Sequence, residues 1–214
     1  MTSAPAVEVA LRALFPASVA VAVERIGRAE PASLWPEEKS AVAGAVPRRL
    51  AEFAAGRTAA RRVLAALGHP PAALPMGADR AALWPPGLCG SIAHDADLAV
   101  AVGRHGAPLG VDLEPDAPLE PELWPVFCSP DELRRLEGDT ARLVRQVFCA
   151  KEAVFKAQPP DARAMFGFDA LAVTLAEGAF NAQFRASIGP FRAGQLLTGR
   201  LALVDGVILA GVAW

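Results

Sequence analysis

The clearest periodic signal lies between Arg48 and Leu67, where Leu50, Phe53, Ala60, Val63, Leu64 and Leu67 recur at helical spacing between polar positions. Gly68 and Pro70 come next as stop signals, so the spacing predicts a helix over 48–67. Ahead of it lie alanine-rich, amphipathic segments broken by Pro31, Pro36 and Pro47. From His69 to Pro86, proline and glycine mark a loop region with Trp84 as an apolar anchor.

Beyond that loop, strand-like patterns begin. Leu88 to Val102 reads as two short strands around the polar turn His94 to Asp97, and Leu109 to Leu113 as a further strand ending in Glu114 and Pro115. Pro130 to Gly138 predicts a short helix capped by Ser129. Thr140 to Ala157 predicts a longer one, with Leu143, Val144, Val147, Phe148, Val154 and Phe155 as its apolar stripe. Phe168 to Leu175, Phe180 to Arg185 and Leu201 to Trp214 read as strands, with turns at Glu177-Gly178 and Asp205-Gly206. Helix, strands, helix, strands is an α/β order, and it suggests two similarly built halves meeting near residues 104–108.

Composition narrows the function. A hydrophobic content of 53% argues for a packed globular protein, and a net charge of -2 gives no basic excess with which to bind nucleic acid. No apolar run approaches the roughly 20 residues of a membrane span, and the first 16 residues lack the pattern of a secretory signal, so a cytoplasmic protein is expected. Cys89, Cys128 and Cys149 are widely spaced, which indicates buried thiols and neither a disulfide framework nor a zinc cage. Lys39, Lys151 and Lys156 are the only lysines among 21 basic residues, so two of them fall within one short stretch.

Three constellations could carry chemistry. In Gly110-Val111-Asp112-Leu113-Glu114-Pro115, strand alternation puts Asp112 and Glu114 on one side. They are either surface acids at a strand end or a pair that a hard cation such as Mg²⁺ would neutralise. In Lys151-Glu152-Ala153-Val154-Phe155-Lys156, Glu152 and Lys156 share a helix face, with Lys151 on the neighbouring one. That is either a surface ion pair or a poised carboxylate among cations. Arg48, Arg49, Arg57, Arg61 and Arg62, with Arg80 and His94, form either a solvated helix face plus a satisfied turn histidine or a phosphate-binding set in which the histidine can be held protonated. Acids for a metal beside bases for phosphates suit phosphoryl transfer, yet the glycine-rich loops of P-loop enzymes and kinases are missing.

In order and spacing, Arg49 to Arg57 (R-x-x-E-F-x-x-G-R), Trp84-Pro85, Ser91 to His94 (S-x-x-H), Gly110 to Glu114 (G-V-D-x-E) and Lys151 to Lys156 (K-E-A-x-x-K) resemble the Sfp-type 4'-phosphopantetheinyl transferases. The likeness is greatest to their siderophore-synthase, enterobactin-type branch, and it runs from about Arg48 to Asp169. The resemblance implies a pseudodimer of two α/β halves, 1–106 and 107–214, with coenzyme A as co-substrate in the cleft between them. It implies Mg²⁺ held by Asp112, Glu114 and Glu152, with Glu152 also as general base, directly or through a metal-bound water. Lys156, with Lys151 close by, would stabilise charge on the transferred phosphate, and Arg49, Arg57, Arg80 and His94 would contact coenzyme A. The implied acceptor is a serine of an apo acyl or peptidyl carrier protein, and the implied state is a monomer. Phe148 stands where the family usually has Trp, and Gln158-Pro159-Pro160 replaces an aromatic-proline pair, which bears on carrier docking. A noncatalytic coenzyme A-binding homologue and a metal-dependent pyrophosphohydrolase are the competing readings.

Overall fold

The computed structural model describes residues 2–27, 31–95, 97–160 and 163–214. In chain order its elements are α1 (Ala4–Ala13), β1 (Ala20–Arg25), the single turn α2 (Pro36–Lys39), α3 (Pro47–Ala66), β2 (Leu88–Asp95), β3 (Leu98–His105) and β4 (Leu109–Pro115). There follow the single turn α4 (Trp124–Phe127), α5 (Pro130–Arg135), α6 (Thr140–Lys156), β5 (Leu171–Ala176), β6 (Ala179–Phe184), β7 (Leu196–Val204) and β8 (Val207–Ala213).

The strands form two antiparallel sheets, one ordered β1-β3-β2 and the other β4-β8-β7-β6-β5. Each sheet carries one long helix. α3 lays Ala59, Ala60, Val63 and Leu64 on the first, and α6 lays Val147, Ala150 and Val154 on the second. The expected mixed α/β architecture of two halves is therefore what the chain adopts. The sheets abut where β2 meets β4: the Ser91 hydroxyl accepts from the Val111 N–H at 3.1 Å and donates to the Val111 carbonyl at 3.5 Å. α1 ties the halves from behind, because Phe15, just after it, packs against Gly211 of β8.

Several expectations are corrected. β1 was hidden in the alanine-rich first third, where its small side chains blur an alternating pattern. Phe168 to Ala170 forms a 3₁₀ turn, so β5 begins only at Leu171. β7 starts before Leu201, and its hairpin to β8 turns on Asp205-Gly206, both at positive φ (48° and 80°), as a tight primed turn requires. β2 runs on through His94 and Asp95, which were expected in the polar turn and instead pair with Ala99 and Leu98 of β3; Ala96 lies outside the described residues. Ser129 does cap α5: its hydroxyl accepts from the Glu132 N–H, and the Glu132 carboxylate accepts from the Ser129 N–H at 2.9 Å. Among the described residues no helix is long and apolar enough to cross a membrane.

Candidate active site

Between the sheets opens a cleft of about 620 Å³. Its lining joins Arg49 and Arg57 of α3, Arg80 and Trp84 of the long loop, His94 of β2, Asp112 and Glu114 of β4, and Glu152 and Lys156 of α6. Residues far apart in sequence meet because α6 settles directly onto β4. Gly110 permits that approach: a Cβ there would lie 2.0 Å from the Ala153 carbonyl oxygen and 2.7 Å from the Ala157 nitrogen.

At the acidic end, Lys156 Nζ donates to Asp112 Oδ1 at 2.5 Å, and Arg145 donates to Glu114 at 3.1 Å. Asp112 is buried, and its Oδ2 has no hydrogen-bond partner among the described residues. Burial, helped by the Asp112 charge, pushes the Glu114 carboxyl up to about 7 against the pull of Arg145. Burial also raises Glu152, with Lys156 opposing and Asp112 reinforcing. For Lys156 burial disfavours the charge, but the charge and hydrogen bond of Asp112 together with the Glu152 charge outweigh it, and the net shift is upward. Beneath them burial keeps the Cys149 thiol protonated, and the Asp112 and Glu114 charges add to that.

Among the described residues no three carboxylates, imidazoles or thiols converge closely enough to cage a metal ion unaided. Two of the three acids are already engaged by cations. An orphaned buried oxygen on Asp112, beside carboxyls whose pKa values are raised, is nevertheless the donor set a hard dication takes with substrate oxygens completing its shell.

At the basic end, Arg49 Nη1 lies 2.8 Å from His94 Nε2. A guanidinium can only donate, so Nε2 accepts and the ring carries its proton on Nδ1, toward Glu52. Burial lowers the His94 pKa, and the cationic Arg49 and Lys156 lower it further, against Glu52. Both effects favour the neutral ring in this arrangement, whereas a phosphate beside it would favour the protonated form. Arg57 is buried, its Nε donating to the Leu74 carbonyl at 2.6 Å and its guanidinium lying 4.1 Å over the Phe53 ring. Burial brings its pKa down to about 10. Arg61 and Arg62 leave the set, held by Glu38 and by the Val23 carbonyl.

Lys151 is a correction. Expected in the cleft, it is fully buried elsewhere, pairing with Glu132 at 2.9 Å and donating to the carbonyls of Phe127 at 2.8 Å and Phe168 at 3.0 Å. One residue along a helix turns a side chain by about 100°, enough to send Lys151 inward while Glu152 faces the cleft. Its role is to join α6 to α5 and the segment before β5.

Other lining residues went unread in the sequence. Glu52 pairs with Arg48 and Arg49 and lies 3.9 Å from His94 Nδ1, and its i,i+3 and i,i+4 spacing from the two arginines was the available signal. Asp79 and Arg163 pair at 2.9 Å between loops of the two halves, a contact with no local signature. Phe148 packs on Phe127 and Phe168 with ring centroids 4.5 and 5.6 Å away, so it fills its place as an aromatic. The Gln158 amide closes its own loop, accepting from the Ala164 N–H at 2.7 Å and donating to the Ala164 carbonyl at 3.1 Å.

Comparison with known proteins agrees with this geometry. Residues 37–103 match the 4'-phosphopantetheinyl transferase N-terminal domain, and residues 108–198 match the 4'-phosphopantetheinyl transferase superfamily. The chain is 39% identical to the 4'-phosphopantetheinyl transferase Svp of Streptomyces mobaraensis, over 84% of this chain and 78% of that protein. It belongs to the 4'-phosphopantetheinyl transferase superfamily. Npt of Nocardia iowensis, another 4'-phosphopantetheinyl transferase, is 32% identical over 95% of this chain and 99% of its own length. Enterobactin synthase component D of Salmonella typhi is 35% identical over 66% of this chain and 61% of its own. The chain is accordingly an enzyme of the phosphopantetheinyl transferase type, and its two matched segments fall on the two sheets that wall the cleft.

Proposed function

We propose that this transferase moves the 4'-phosphopantetheine group of coenzyme A onto a serine of an apo acyl or peptidyl carrier protein, releasing 3',5'-ADP. One observation carries the reading: a single cleft gathers three acids and a lysine at one end and arginines with a histidine at the other. A long dianionic pyrophosphate ester fits such a polarity. Arg49, Arg57, Arg80 and His94 would bind the adenylate and 3'-phosphate end of coenzyme A, leaving its pyrophosphate beside Lys156.

The serine hydroxyl is a weak nucleophile at neutral pH and needs a base as it attacks. Glu152 takes that proton. The serine oxygen forms a bond to the β-phosphorus, the bond from that phosphorus to the bridging oxygen breaks, and 3',5'-ADP leaves with the electron pair. Lys156 stabilises the charge that gathers on the phosphate oxygens. Asp112 through Oδ2, Glu114 and Glu152 are the residues that would hold Mg²⁺, whose chemistry is to neutralise phosphate oxygens. Lys156 can keep Asp112 Oδ1 meanwhile, and the two roles do not compete for one atom.

The halves are assigned as 1–106 and 107–214, the first supplying coenzyme A contacts and the second the acids. Two halves in one chain provide both walls, which supports a monomeric enzyme, and its co-substrate supports a cytoplasmic setting. The likeness to enterobactin synthase component D supports the siderophore-synthase branch.

The test is incubation with coenzyme A, Mg²⁺ and a panel of apo acyl and peptidyl carriers, read by mass spectrometry. One phosphopantetheine per carrier serine with matching 3',5'-ADP is expected; unmodified carriers throughout would reject the proposal. A coenzyme A turnover that needs no carrier would instead favour pyrophosphohydrolysis.

The metal assignment has its own readout. Glu114 holds its proton up to about pH 7, and a dication and that proton compete for the same oxygens, so Mg²⁺ affinity should climb as pH rises through that value. Carboxyl carbon NMR is expected to place the Glu114 midpoint near 7 in metal-free protein and lower with Mg²⁺. A midpoint indifferent to the ion would remove Glu114 from the ligand set.

A further inference from the structure

α2 contributes a carboxylate that lies outside the cleft lining. Glu38 is fully buried, with no exposed side-chain surface. Arg61 Nη1 donates to both of its oxygens at 3.0 Å, the Trp35 N–H donates to Oε2 at 3.0 Å, and the Leu74 N–H donates to Oε1 at 2.9 Å. A buried carboxylate in that state is stable because each oxygen is supplied with donors.

Leu74 is the point of interest. Its N–H is held by Glu38, and its carbonyl accepts from Arg57 Nε at 2.6 Å. One residue is therefore clamped between a buried anion and a buried guanidinium. Leu74 is also the root of the cleft wall, because Met76, Asp79, Arg80, Ala81, Ala82 and Trp84 come after it in chain order and all line the cleft. The other constraint on Arg57 is the Phe53 ring under its plane, which leaves rotation within that plane free. The Leu74 carbonyl removes that freedom. Electrostatics run the same way, since the Glu38 charge sustains an arginine that burial works against.

We propose that Glu38 is a positioning residue for coenzyme A recognition, fixing through Leu74 both the in-plane orientation of the Arg57 guanidinium and the wall that carries Arg80 and Trp84. The inference rests on the proposed coenzyme A-binding role of the cleft. A glutamate in the short turn Pro36–Lys39 has no need of full burial to begin a helix; burial with four hydrogen bonds from three donors converging on it is what a framing role requires.

Glu38→Gln keeps the shape but turns one oxygen into a donor, which must then face Arg61, Trp35 or Leu74. The KM for coenzyme A is expected to rise about ten-fold, the order for weakening one charge-assisted hydrogen bond, with kcat changed less than about two-fold. In an Arg57→Lys background the same substitution should add little, because the guanidinium it positions is gone. A purely structural role would behave like Val7→Ala in α1, lowering Tm while leaving that KM alone.

A second measurement does not depend on turnover. The Arg57 Nε–H resonance, assigned by its loss in Arg57→Lys, should be sharp and slow to exchange in the parent protein and broadened in Glu38→Gln. If Glu38→Gln does not fold, Glu38→Gln with Arg61→Gln removes both charges of the pair and serves instead. An unchanged Arg57 resonance together with an unchanged KM for coenzyme A would overturn the inference. A parent protein that binds no coenzyme A would reject the functional reading, and the Arg57 resonance alone would then decide the role of Glu38.

Discussion

Glu152→Gln is expected to lower the turnover of carrier modification by about a hundred- to ten-thousand-fold, the range that removing a general base produces, while coenzyme A still binds. The amide has nearly the shape of the carboxyl, so α6 should keep its seat on β4. What disappears is the ability to receive a proton. Burial raises the pKa of Glu152, which makes it a stronger base than a solvated carboxylate, and Lys156 opposes that rise by favouring the ionised form. Single-turnover kinetics at saturating coenzyme A, with calorimetry for binding, separates the two quantities. Turnover within a factor of two of the parent would exclude Glu152 as the base, and lost coenzyme A binding would make it chiefly a binding residue.

Much of this site could be read before any coordinates, but unevenly. Asp112 and Glu114 follow from alternation on a strand, and Glu152 with Lys156 from helical spacing, because both periods are local. That the helix rests on that strand is a long-range fact. Its local trace is Gly110, whose missing side chain has meaning only once Ala153 lies above it. Lys151 was misplaced because periodicity ranks faces without saying which flank meets protein: the buried partner, Glu132, lies in α5 and doubles as the cap partner of Ser129. The charge of His94 depends on its neighbours in the same long-range way: a phosphate would favour the protonated form, whereas Arg49 donates to its Nε2. Glu38 was unreadable, since Pro-Glu-Glu-Lys looks like an ordinary exposed helix start. In the fold, β1 was lost to alanine, which gives strand faces too little contrast, whereas β8 with its Val, Ile and Leu was plain.

Gly110→Ala should damage the enzyme almost as deeply as loss of Glu152, without touching an ionisable group. The added methyl would sit 2.0 Å from the Ala153 carbonyl oxygen and 2.7 Å from the Ala157 nitrogen, where neither partner is a side chain that could swing away. Relief requires β4 and the last turn of α6 to separate by an ångström or more. Overpacking of this kind costs about 1–3 kcal/mol and sometimes more, read as a lower midpoint in urea. The functional loss has a separate origin. Lys156 Nζ reaches Asp112 Oδ1 at 2.5 Å across that same contact, and Glu152 lies one helical turn before Lys156. Displacing reacting groups by about 1 Å can cost a hundred-fold in rate, so turnover should fall by about that factor even in the fraction that remains folded. Gly90→Ala provides the contrast: its methyl would strike the Trp84 ring, a side chain on the coenzyme A side, and should raise the KM for coenzyme A more than it lowers kcat. If Gly110→Ala instead retained full turnover at unchanged stability, the seating of α6 on β4 could not be what assembles the three acids.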